Sequence, residues 1–210
     1  MNALATYRTL VSRGSRPALT LYGSAARAPR LELSGTVIAN HAAKAANYLA
    51  DDLMIDQGSP LRLDLPVHWR LLTWGLGGFL AGAHVSFEEG DTIITATPKE
   101  ASGDEIIAVS LGAFDLSWRG ELPAGVTDGN AEVLAQADVL LDELNHEESN
   151  ADTFTSSIGV QDPRILLVNP DPGTLLRTFM SAILSGQALV IADEATEAQA
   201  ATTEGATRIN

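Results

Sequence analysis

Apolar residues recur along the chain with two alternating periods, one helical and one extended. "MNALATYRTLVSRGSR" reads as a first helix. "PALTLYG" and "RLELS" are short β-leaning runs joined by the small-residue linker 24–29, and they predict a hairpin or two neighbouring strands. Ser34 stands where a helix N-cap belongs. From it, "GTVIANHAAKAANYLADDL" places Ile38, Ala42, Ala45, Leu49 and Leu53 at steps of three and four, one buried helical stripe. "LRLDL" alternates as a strand, and Pro66 restarts the chain into a helical-length segment from Val67 to Ala81. Three strand-like runs follow, "AHVSF", "DTIITAT" and "EIIAVSL"; "SWRGELPAGVTDG" then reads as a long surface loop. In "NAEVLAQADVLLDEL", Val133, Leu134, Ala137, Leu140, Leu141 and Leu144 share a helical stripe. The strand "RILLV", the turn "NPDPG", the helix "TLLRTFMSAILSG" and the strand "ALVIA" form a second unit. Together these segments predict one α/β domain over residues 1–192, a mostly parallel layered sheet flanked by helices with an N-terminal strand pair. Residues 193–210 read as a polar tail, weakly helical or disordered.

"WGLGGFLAG", residues 74–82, has the glycine density of a phosphate-binding turn. Such a turn needs its glycines directly after a strand, where bare N–H groups at a helix N-terminus reach the phosphates. Here the strand ends near Leu65, and a third glycine is missing at Leu80. The segment instead predicts a helix, apolar on nearly every side, whose small residues let it press against its neighbours. Each interior glycine costs about 1 kcal/mol of helix propensity relative to alanine, so close packing has to compensate. Gly82 reads as the residue that ends the helix.

The composition narrows the partners. Of 210 residues 45% are hydrophobic, enough for one sizeable core. Arg8, Arg13, Arg16, Arg27 and Arg30 all precede the first acid, Glu32. Beyond that point the chain is strongly acidic, with a net charge of -14 overall, which disfavours nucleic acid and anionic lipid. The longest uncharged apolar run, Leu71 to Ala83, is shorter than the roughly 20 residues that cross a bilayer. With no cysteine, thiolate chemistry and disulfides are excluded. The first residues lack the apolar core of a secretory signal, so a cytoplasmic protein is expected.

The segment order "PALTLYG…RLELSGTVIANHAAKAANYLADDL" followed by "QGSPLRLDLPVHWRLLTWGLGGFLAGAHV" resembles the opening of the adenylate-forming enzymes, a family of acyl-CoA synthetases, luciferases and adenylation domains. "RILLVNPDPGTLLRTFMSAILSGQALVIAD" is similar to the strand, helix and strand unit of that family further along. The resemblance implies a divergent, shortened relative of their N-terminal domain. It also implies a Ser/Thr/Gly-rich phosphate loop ending in Pro-Lys-Gly, for which the nearest counterpart is "TFTSSIGVQDP". That segment holds Thr155, Ser156, Ser157 and Gly159 but no lysine, and Asp162 brings the wrong charge for phosphates. The two lysines of the chain, Lys44 and Lys99, lie elsewhere. The adenine, magnesium and ribose motifs of the family, and its lid with the catalytic lysine, fall beyond the stretch that this sequence matches.

Other chemistry is sparse. Asp142, Glu143, His146 and Glu147 in "DELNHEE" are within helical reach of one another and compatible with a surface metal site, although a solvated helix end is the plainer reading and no metal is expected. His41 flanks the buried stripe of the second helix and reads as a packed histidine. There is no G-x-S-x-G elbow. Ligands of open α/β sheets sit beyond the carboxyl ends of strands, which singles out "PVHW" and "NPDPGT" and, in them, His68, Trp69, Asn169 and Thr174 as ligand-binding candidates. Asp171 argues against an anion at the second of these ends. The expectation is a binding or protein-association module on a degenerate adenylate-forming scaffold, without catalytic residues or cofactor, whose partner is a second copy, another protein or a small molecule. The alternatives are residual acyl activation completed by a partner chain, and an acyl or coenzyme A binder without turnover.

Overall fold

The computed structural model describes residues 2–141 and 149–209. Helix α1 (Asn2–Arg13) leads into β1 (Pro17–Tyr22) and β2 (Arg30–Ser34), and α2 (Gly35–Asn47) continues into a π-helical turn, Tyr48–Asp52. There follow β3 (Pro60–Asp64), α3 (Trp69–Leu80), β4 (His84–Ser86), β5 (Thr92–Thr95), β6 (Glu105–Ala108), β7 (Val126–Asp128) and α4 (Gly129–Ala135). The last elements are β8 (Arg164–Val168), α5 (Pro172–Leu184), β9 (Ala188–Ala192), α6 (Glu197–Glu204) and β10 (Thr207–Arg208). The strands build two sheets, in the orders β10-β8-β9-β1-β2 and β4-β3-β5-β6-β7. Every pairing is parallel except β1 with β2, the predicted N-terminal strand pair. Strands β1 and β9 are buried on both faces, as parallel strands between helical layers must be. None of the helices among the described residues is long and apolar enough to cross a membrane.

The glycine-rich segment is the buried central helix. All of α3 from Trp69 to Leu80 is buried, and each interior glycine meets a different neighbour. A Cβ on Gly75 would lie 2.8 Å from Leu176 of α5, one on Gly77 2.6 Å from Ala45 of α2, and one on Gly78 2.6 Å from Leu61 of β3. Glycine is therefore what lets two helices and a sheet close on one helix. Gly82, at φ +89°, turns the chain out, with Gly82 N–H on Phe79 O and Ala83 N–H on Gly78 O satisfying the last carbonyls.

Two segments depart from the sequence expectation, and the tail adds a strand to the helical one of its two readings. The helix predicted from Asn130 ends at Ala135, and Gln136 is extended. Side chains of α2 capture the following backbone: Lys44 Nζ donates to Leu134 O and Gln136 O, and Asn47 Nδ2 donates to Ala137 O and Val139 O. Asn47 Oδ1 also accepts from Leu141 N–H, so tertiary hydrogen bonds replace the helical ones. The loop around Trp118 contains β7, which pairs with β6. From Asp193 onward the chain forms α6 and β10, with β10 alongside β8. The side chain of Glu204 reaches back to Arg30, Arg164 and Tyr22, an attachment that composition does not display.

Candidate functional site

The carboxyl ends of β5 and β6 open into a cleft of about 470 Å³. Ala96, Val109, Leu111 and Trp118 give it an apolar lining, and Arg27, Ser110, Asp115 and Arg119 give it a polar one. Its floor is organised by Asn130, which is buried: Oδ1 accepts from Ser110 N–H at 2.9 Å, and Nδ2 donates to Ser110 O at 3.3 Å and Asp115 O at 3.0 Å. The Asp115 carboxylate accepts from Ser110 Oγ, from Gly112 N–H and from Arg119, and these bonds, Ser110 first, hold its pKa below the usual carboxylate range. Arg27 enters from the turn after β1 with φ +51°, a left-handed conformation that costs a non-glycine residue about 1 kcal/mol and often marks a functional position. Sequence reasoning missed Arg27, Ser110, Asp115 and Arg119, which converge from separate segments without a local motif.

Behind this cleft lie His68, Trp69 and Arg70, all buried. His68 caps α3 by accepting Arg70 N–H on Nδ1 at 3.2 Å, so the neutral ring carries its proton on Nε2, which has no partner among the described residues. Burial, together with the nearby charges of Arg70 and Arg27, depresses the His68 pKa to about 3. The Arg70 guanidinium lies 4.4 Å from the Trp69 ring centroid and donates from Nη2 to Asp115 O at 2.6 Å. Its Nε is unpartnered among the described residues, and burial lowers its pKa to about 10, so it stays charged at neutral pH. His41 stacks edge-on against Trp69 at 4.9 Å, and burial first, then Arg70, lowers its pKa to about 4. His68 and Trp69 thus support the core and the cleft floor without lining the cavity.

At the carboxyl end of the first sheet, Asn169, Pro170, Val67, Ser24 and Asp193 are among the residues around a smaller cavity of about 190 Å³. Asn169 is the sequence candidate that lines it; its φ is +47°. Thr174 is turned to its own helix start, where N–H and Oγ1 both donate to the Asp171 carboxylate, at 2.9 and 2.7 Å. Asp171 therefore occupies the N-terminus of α5 as an internal anion, with its pKa lowered by those bonds. The structure brings neither His68, Trp69 nor Thr174 to this cavity beside Asn169.

Ser156, Ser157 and Gly159 border a third cavity, about 390 Å³, with Thr178 and Arg208. Thr155 is withdrawn from it, accepting from Asn2 Nδ2 at 2.7 Å. Asp162 is held by Thr207 Oγ1 at 2.7 Å. Arg208, a cation the sequence did not place here, is ion-paired with Glu197 at 2.7 Å. Residues 142–148, with Asp142, Glu143, His146 and Glu147, lie outside the described residues. Among the described residues no group of three or more His, Asp or Glu side chains is arranged to hold a metal ion.

No model of a known protein family matches the chain. It is similar to the TIGR03089 family protein of Mycobacterium tuberculosis, 30% identical over 141 residues that make up 61% of this chain and 57% of that one. Among solved structures it is similar to the acyl-CoA synthetase of Brucella canis, with a TM-score of 0.73 and 17% identity, over 99% of this chain and 46% of the enzyme. It also superposes on the N-terminal domain of FACL13 from Mycobacterium tuberculosis, an inhibitor-bound structure, with a TM-score of 0.67 and 13% identity over 98% of this chain and 61% of that one. The chain thus spans about half the length of the full proteins it matches. Over nearly its whole length, the chain has the fold of the N-terminal domain of FACL13 and of the matching half of the Brucella canis acyl-CoA synthetase.

Proposed function

We propose that this chain is a binding or protein-association module on an adenylate-forming scaffold, one that does not adenylate an acid unaided. The observation that carries this reading is the Ser156–Gly159 cavity, where the one guanidinium that borders it among the described residues, Arg208, is engaged by Glu197. Charge that develops on a transferring phosphoryl group is stabilised by cations aimed at its oxygens. Lys44 is committed to Asp138 and to backbone carbonyls at the end of α4, and Lys99 borders a different cavity with Glu121. Association is supported by Phe114 and Leu116, which stand exposed on one loop, and by Val139 and Leu141, exposed on the next.

The test is pyrophosphate exchange by the purified chain with a panel of carboxylic acids, alongside calorimetric titration with ATP and magnesium. The expected result is no exchange above background and no measurable nucleotide binding. Exchange dependent on one acid and abolished by Ser157→Ala overturns the reading.

A further inference from the structure

We propose that the cleft at the carboxyl end of β5 and β6 binds a small organic anion with an apolar body, its charge taken by Arg27 and Arg119. This site is separate from the Ser156–Gly159 cavity and stands whether or not the chain activates acids.

The charge distribution favours an anion. In a chain of net charge -14, the guanidinia of Arg27, Arg70 and Arg119 gather at one strand end. Two carboxylates accompany them, and both are engaged. Asp115 is held by Ser110, Gly112 and Arg119. Asp128 accepts from the N–H groups of Trp118, Asn130 and Ala131. Arg27 is exposed and its guanidinium makes no hydrogen bond or ion pair among the described residues, while its left-handed backbone, tied by its N–H to Ser24 O, keeps it on the cleft wall. Holding a free arginine in a disfavoured conformation costs stability that a bound anion offsets. Arg119 is 81% exposed, so its pair with Asp115 is weak and its guanidinium can be shared with a ligand.

The shape and lining favour an apolar body on that anion. Ala96, Val109, Leu111 and Trp118 line the cleft, and its 470 Å³ lies within the usual range for small-molecule sites. Phe114 and Leu116, 74% and 68% exposed, flank Asp115 in the loop that supplies the cleft's Gly112 and Asp115. A carboxylate and a phosphate ester both satisfy this chemistry, because an arginine fork donates two parallel hydrogen bonds to either one.

The full chain is titrated by calorimetry with 2-naphthoate, 2-naphthyl phosphate, neutral 2-naphthol and inorganic phosphate. At least one naphthyl anion is expected to bind, with naphthol and inorganic phosphate each weaker by about tenfold or more, because each lacks one half of the recognised chemistry. The stronger of the two naphthyl anions identifies the charged group. Arg27→Gln and Arg119→Gln are each expected to weaken binding by about fivefold and the double variant to abolish it. Arg62→Gln, at a β3 position that does not line the cleft, leaves it unchanged, and the Arg27 and Arg119 variants keep the wild-type melting temperature because those two side chains are exposed. Absence of binding by both naphthyl anions, equal binding of naphthol, or binding that survives the double substitution overturns the proposal.

Discussion

A methyl group on Gly77 would stand 2.6 Å from the Cβ of Ala45, 3.0 Å from Ala46 N and 3.1 Å from Ala42 O. Two of these neighbours are backbone atoms, so α2 and α3 would have to separate to admit it. At Gly75 the obstacles are the ends of the Leu176 and Leu63 side chains, which rotate. Alanine brings about 1 kcal/mol of helix propensity at either position, against an overpacking cost of about 1–3 kcal/mol. Gly77→Ala, where backbone atoms stand in the way, is therefore expected to lose up to about 2 kcal/mol in urea denaturation, and Gly75→Ala to stay within about 1 kcal/mol of wild type. Equal losses at the two positions would show that α2 and α3 are not packed as closely as this.

Glu204 ties the end of the chain to the first sheet. Tyr22 OH and Arg30 Nε donate to Oε1 at 2.6 and 2.9 Å, and Arg164 pairs with Oε2. Burial alone raises the carboxyl pKa, but the bonds to Arg30 and Tyr22 outweigh it and leave the pKa below its ordinary value. With the folded value depressed, this stabilisation is complete above about pH 4.3, the unfolded value, and is lost as pH falls through the folded one. Glu204→Gln should lower stability at pH 7 by roughly 2 kcal/mol, since Arg30 and Arg164 keep partial access to water. Amide exchange in 197–208 should accelerate, and the acid limb of the melting curve against pH should become flatter.

Two buried histidines set a different pH window. His68 and His41 have folded pKa values near 3 and 4, depressed first by burial, against about 6.5 in an unfolded chain. The unfolded state takes up protons first, so stability is full above about pH 6.5 and falls below it, by up to about 1.4 kcal/mol per pH unit for each histidine. Between pH 6.5 and 5 the depressed carboxyl groups contribute little, which isolates the histidine effect. His68→Asn keeps a side-chain acceptor for Arg70 N–H and removes one titration. Its loss of stability between pH 6.5 and 5 should be about half that of wild type, by denaturant melts at each pH. An unchanged slope would mean that His68 protonates freely in the folded protein.

The period of the apolar residues was sufficient to read the layers, because α2, α3 and α5 bury stripes or whole circumferences and the sheet strands are short apolar runs. The Ser34 cap and the Gly82 stop were also legible, since each acts within one helical turn. The cleft at β5 and β6 was not: Arg27 lies 83 positions or more from Ser110, Asp115 and Arg119, and it follows a strand of the other sheet, so only the packing of the two halves brings them together. His68 and Trp69 were found by their place after a strand, yet the same cap that starts α3 turns them into the core. Arg208 escaped notice beside Ser156 because its strand has two residues and no period to detect.

The segment after α4 offers the sharpest test of tertiary control over local preference. Its apolar spacing favours a helix, but Asn47, buried on α2, donates to Ala137 O and Val139 O and accepts from Leu141 N–H, while Leu140 N–H is held by Tyr7 OH at 3.3 Å. Asn47→Ala removes all three of its bonds at once and should cost about 1–3 kcal/mol, the penalty for buried polar groups left without partners. Exchange at the Leu141 amide should then accelerate while the Leu140 amide stays protected, and Tyr7→Phe should produce the reverse pattern. If Asn47→Ala leaves Leu141 protected, the backbone there is held by its own helical bonds, and α2 does not determine where α4 ends.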